Sequence, residues 1–96
     1  MKNPKSITAA AKLIGKIIEP ENWGIWAAKQ TFHYSVSAYL INGMRLEPDG
    51  QIVMLGLRQE IASDCQLDNR IHQDEIRDLT KYVETDFFSK CEFSEI

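Results

Sequence analysis

The sequence predicts an α+β domain: an N-terminal helix, an antiparallel sheet of two to four strands with a long hairpin, and a C-terminal helix. Three observations carry that expectation. Apolar residues recur at helical spacing near the start, at Ile7, Ala10, Ala11, Ile14, Ile17 and Ile18. Two runs rich in apolar, β-branched and aromatic residues, 32–41 and 51–61, flank the turn sequence Glu47-Pro48-Asp49-Gly50. A helical period returns at Ile76, Leu79, Val83 and Phe87.

The first helix is expected over residues 4–18. Asn3 is suited to cap its free N–H groups, and Pro4 fits the first helical position. Pro20 restricts Glu19 to extended backbone and so ends it. Residues 23–30 (Trp23 to Gln30) fit two readings: Trp23, Ile25 and Ala27 alternate as in a strand, whereas Ile25, Trp26 and Lys29 fit a short helix, and the strand is preferred. In the first hairpin arm Tyr34, Val36, Ala38 and Leu40 alternate with His33, Ser35, Ser37 and Tyr39. The return arm places Val53, Leu55 and Leu57 on one face. Pairing Leu46 with Ile52 across the turn sets Leu40 and Leu57 on opposite faces, unless one extra residue is accommodated at Asn42-Gly43. A β-bulge is therefore predicted there, which brings Leu40 opposite Leu57. Residues 63–69 are polar and read as a loop. The C-terminal helix is expected over 72–88, with Asp74, Glu75 and Asp78 in its early turns, where the helix dipole favours acids.

Ninety-six residues with 44% hydrophobic and 26% charged content suit one core, so residues 1–96 are read as a single domain. No apolar run reaches the length of a membrane span and no export signal is visible, so the expected setting is cytoplasmic, with Cys65 and Cys91 as reduced thiols. The formal charge of −3 is unevenly spread. Residues 1–59 carry seven Lys/Arg and four Asp/Glu, net +3; residues 60–96 carry four and ten, net −6. A strongly basic nucleic-acid binder, a collagen-like chain and a disulfide scaffold are excluded by these figures.

Catalytic and metal-binding signatures are weak. Cys65, Cys91, His33 and His72 lack zinc-ligand spacing, and Asp64, Asp68 and Asp74 lack the glycine-punctuated spacing of a calcium loop. The five glycines form no phosphate-cradling motif. A Cys65–His pair has no local signature of a nucleophile and its base. No metal, no cofactor and no enzymatic activity are expected.

The acidic second part directs the functional expectation. Carboxylates there can stand where a cationic enzyme expects phosphates, so the chain is expected to be an acidic protein-binding module. The class is an inhibitor or immunity-type protein that neutralises a basic partner such as a nuclease toxin. Asp64, Asp68, Asp74, Glu75 and Asp78 are the expected electrostatic contacts, with Phe88 as an aromatic anchor. The alternative is a nucleic-acid-associated accessory protein of phage or plasmid type, using the helix that bears Lys5, Lys12 and Lys16. That helix starts like half of a helix-turn-helix over residues 7–15, but Glu19-Pro20-Glu21-Asn22 stands where a recognition helix is needed. No membrane partner is expected. An uncovered outer strand near residues 23–30 invites pairing with a second copy.

Overall fold

A computed structural model of the chain describes residues 1–21, 36–61, 72–86, 88–89 and 92–93. Their order is α1 (Ile7–Leu13), β1 (Ile17–Pro20), β2 (Val36–Leu46), β3 (Ile52–Ile61), β4 (His72–Ile76), a 3-10 turn (Leu79–Lys81) and β5 (Tyr82–Glu84). The five strands form one antiparallel sheet in the order β4-β3-β2-β1-β5. The α+β reading holds as one N-terminal helix on a sheet. The sheet has five described strands rather than two to four, and the expected C-terminal helix is absent from the described residues.

The first helix is shorter than its apolar period suggested. Ser6, not Asn3, is the N-cap, its hydroxyl accepting from Ala9 N. Gly15 takes φ +96° and ends the helix early; only glycine adopts that conformation readily. Its N–H donates to Ile41 O at 2.7 Å, and Ile41 N donates back to Lys16 O at 2.9 Å. The chain thus leaves the helix directly into the sheet, and Ile17 and Ile18 become β1. Asn3 acts elsewhere. Its amide donates to Arg77 O at 2.9 Å and accepts from Leu79 N at 2.7 Å, copying a strand pairing and tying the N-terminal segment to the end of β4.

The hairpin follows the expected register. Leu46 faces Ile52, Leu40 faces Leu57, and the register shifts between Ile41 and Gly43. The turn closes through Gly50 N to Glu47 O and Glu47 N to Gln51 O, with Gly50 at φ +89°.

Residues 72–84 are the main correction. Asp74, Glu75, Ile76 and Val83 lie on strands, and Asp78 caps the 3-10 turn by accepting from Thr80 N at 3.0 Å. Two of the apolar residues that marked the expected helix are still buried. Ile76 and Leu79 join Ala10, Ile18, Ile41 and Met54 in the cluster beneath α1. A short apolar period fits a helix and a strand–turn–strand alike. The edge of β3, with backbone groups in need of partners, selects the second. The far face of the sheet is buried as well, at Ala38, Val53, Leu57 and Gln59. No helix among the described residues is long and apolar enough to cross a membrane.

Candidate binding surface

Two consecutive acids on β4 show how the strand changes the expected site. On a helix, Asp74 and Glu75 would share one broad face; on a strand they point to opposite sides of the sheet. Asp74 lies on the α1 side, opposite Gly56 of β3, and Glu75 lies on the far side, opposite Leu55.

On the α1 side a polar and aromatic cluster forms around Asp74. Tyr39 of β2 reaches across β3 over Gly56, and its hydroxyl donates to Asp74 Oδ2 at 3.4 Å. Arg58 is paired in register with Tyr39 on one side and His72 on the other. Its Nε stands 3.5 Å from Asp74 Oδ2, a charge contact too long for a good hydrogen bond, and the Nε itself is buried without a hydrogen-bond partner. Tyr82 of β5 packs edge-on against Tyr39, with ring centroids 5.5 Å apart at 79°. Burial, with Tyr82 and the Asp74 charge beside it, pushes the Tyr39 hydroxyl up to about 12. Tyr39 is therefore a neutral hydrogen-bond donor and not a base. Arg58 and Asp74 keep about a third of their side-chain surface exposed, at 36% and 33%. The cluster can stack, donate and accept, and it can exchange one ion pair for another.

On the far side Glu75 belongs to a closed ring. Arg45 contacts Glu47 at 3.1 Å and Glu75 at 2.5 Å, and Arg77 contacts the same two at 2.8 and 2.9 Å. Hydrogen bonds from the two arginines hold both carboxyls below the usual carboxylate range. The ring carries no net charge. Beside it Asn42 and Gln73 exchange amide hydrogen bonds at 3.2 and 3.0 Å. An open cleft of about 360 Å³ adjoins Arg77, Lys5 and Asn3 at the hairpin turn, but the Asn3 amide and the Gly50 and Gln51 N–H groups already have partners.

Of the expected contact residues, Asp74, Glu75 and Asp78 are thus separated and internally engaged rather than gathered into one acidic patch. Asp78 is held low by the hydroxyl and N–H of Thr80. Phe88 is corrected from surface anchor to core: only 2% of it is exposed. Asp64 and Asp68 lie outside the described residues, as do Cys65, Cys91, His33 and the strand expected over 23–30. No group of three or more His, Cys, Asp or Glu able to hold a metal occurs among the described residues.

Sequence reasoning passed over Tyr39, Arg58 and Tyr82. One signal was present: setting Leu40 opposite Leu57 also sets Tyr39 opposite Arg58, and a glycine inside the return arm marks a close approach. Asp74 and Tyr82 could not join them while 72–88 was read as a helix. Comparison with known proteins finds no matching family model, no matching curated protein and no matching solved structure.

Proposed function

We propose that this chain is a small protein-binding module of the inhibitor or immunity type, acting by covering part of a basic partner rather than by turning over a substrate. The observation that supports this reading is the Tyr39–Tyr82 pair set edge-on beside the Arg58–Asp74 pair, which is about one-third exposed. Tyrosine and arginine dominate binding hot spots, because each covers a large area and still offers polar atoms at its tip. Asp74 has one long arginine contact and open surface, so a partner's lysine or arginine can engage it. The net charge of −3 favours approach of a cationic protein over a nucleic acid. The contact surface is thereby smaller and more aromatic than a carboxylate patch.

The test compares the full chain with a Tyr82→Ala/Arg58→Lys double variant whose circular dichroism and melting temperature match it. Both are immobilised and exposed to lysate of the native host. A basic protein held by the first and lost roughly tenfold by the second supports the module and its surface. Equal retention by both moves the surface elsewhere, and retention of nucleic acid in place of protein overturns the reading.

A further inference from the structure

Gly43 is not explained by the fold. It does not take a left-handed φ, and a β-carbon built on it would meet only the Leu55 side chain, at 3.6 Å, an ordinary contact. Alanine fits that space, yet the chain places glycine directly after Asn42, the one Asn-Gly pair in the sequence. Asn42 is the extra residue of the β2 bulge: Ile41 faces Gly56, Gly43 faces Leu55, and Asn42 faces no residue of β3. A bulge leaves such a residue outside the ladder. Asn42 is exposed, and its side chain is held instead by Gln73, two strands away. Asn42 Nδ2 donates to Gln73 Oε1 at 3.2 Å, and Gln73 Nε2 donates to Asn42 Oδ1 at 3.0 Å.

We propose that Asn42 is a deamidation site restrained by Gln73. The Gly43 nitrogen attacks Asn42 Cγ. The new C–N bond closes a succinimide, the Cγ–Nδ2 bond breaks, and the amide leaves as ammonia carrying the Gly43 proton. Water then opens the ring at either carbonyl, giving aspartate at position 42 or its isoaspartyl isomer. One water is consumed, one ammonia is released, and the new acid ionises. Glycine favours the attack because no β-carbon crowds its nitrogen. Closure requires the Asn42 side chain to fold back onto its own backbone, which breaks both bonds to Gln73. The amide pair therefore slows the reaction in the folded chain, and freeing the side chain speeds it. The product weakens the pair, since a carboxylate cannot donate to Gln73 Oε1. The isoaspartyl form also adds a main-chain carbon inside the bulge that sets Leu40 opposite Leu57. Modified chains are thus expected to melt lower than the parent. Of the other asparagines, Asn3 precedes Pro4, which has no N–H to attack with. Asn22 and Asn69 precede Trp23 and Arg70, whose side chains hinder the approach.

The test incubates the full chain in warm, mildly alkaline buffer and follows the loss of ammonia by mass, with peptide mapping to place it. Asp49-Gly50 can close the same ring but returns to the same mass, so it does not interfere. Deamidation is expected at Asn42 before any other asparagine, and fastest in the urea-unfolded chain. In the folded state Gln73→Ala is expected to speed it roughly tenfold, the scale of one or two exposed hydrogen bonds. Gly43→Ala, which the space beside Leu55 accommodates, is expected to suppress it. Amide hydrogen exchange across β2 and β3, measured on each variant, separates release of the side chain from unfolding of the sheet. Equal rates in the parent and Gln73→Ala, an earlier loss at another asparagine, or an undiminished rate in Gly43→Ala overturns the proposal. So does a Gln73→Ala effect matched by equally faster exchange throughout β2 and β3.

Discussion

A β-carbon placed on Gly56 would stand 2.6 Å from Ile76 Cδ1 and 3.2 Å from Tyr39 Cδ1. The tip of Ile76 can swing aside. Tyr39 cannot, because moving its ring off β3 breaks the hydroxyl contact to Asp74 and the edge-on packing with Tyr82. Gly56→Ala also lowers the entropy of the unfolded chain, which stabilises by about 0.4–1 kcal/mol. Crowding of a packed core opposes this with about 1–3 kcal/mol, so the expected net effect is a loss of roughly 1–2 kcal/mol. Urea unfolding measures it, and an unchanged or higher midpoint would show that the ring does not depend on the missing carbon. Asn3 carries a related lesson. Asn-Pro before an apolar run reads locally as a helix cap, yet its amide satisfies a carbonyl and an N–H more than seventy residues away, at Arg77 and Leu79. Nothing within a few residues of Asn3 distinguishes the two uses.

Among the elements, the hairpin was legible and the last third was not. The turn is built from residues with fixed conformational preferences, Pro48 and Gly50, and Asp49 adds a side-chain bond to Gln51 N at 3.0 Å. Outward from it, a period of two leaves one way to put Leu40 and Leu57 on the same face, and that requires the bulge at Asn42. Deleting Asn42 is expected to remove the bulge and turn every residue of β2 before it to the other side, taking Ile41 out of the cluster beneath α1 to the far face and putting Leu40 in its place. The prediction is loss of the cooperative transition, read as the disappearance of near-ultraviolet dichroism and of a sharp melt. A variant that still melts cooperatively within a few degrees of the parent would mean the register is held by something else. Residues 72–84 had no such internal arbiter. Ile76, Leu79 and Val83 satisfy a helical spacing, yet Ile76 lies on β4 beside β3, Leu79 in the 3-10 turn and Val83 on β5 beside β1, so their conformation depends on those two strands lying alongside.

Across the whole molecule, acids and bases are spread over both faces of the sheet, and their titration sets the limits of stability. Glu47 and Glu75 have carboxyls lowered from 4.5 by their arginines, so their contribution is fully present above that value and is lost as pH falls through the lower native values. Glu19 runs the other way. It is 8% exposed, burial raises it from 4.5, and its contribution is present in acid and lost as pH rises through its native value. Tyr39 is raised from 10 to about 12, so its contribution holds up to pH 10 and fades between there and 12. The melting temperature is therefore expected to fall below pH 4.5 and above pH 10, most steeply at low salt on the acid side, where the exposed ring is least screened. Glu75→Gln should flatten the acid limb and Tyr39→Phe the alkaline one. If either variant keeps the parent's profile on its own side, that group is not what titrates.

The turn, the bulge and the facing of β2 against β3 follow from neighbours along the chain, since backbone preference and a two-residue period act over a few residues at a time. The fate of Ile17–Ile18, of the acids at 74, 75 and 78, and of the tyrosine–arginine cluster was decided only when distant strands came alongside. Backbone hydrogen bonding to a sheet edge is a property of the edge as much as of the segment that joins it, so an identical apolar spacing is buried as a helix beside one neighbour and as strand and turn beside another.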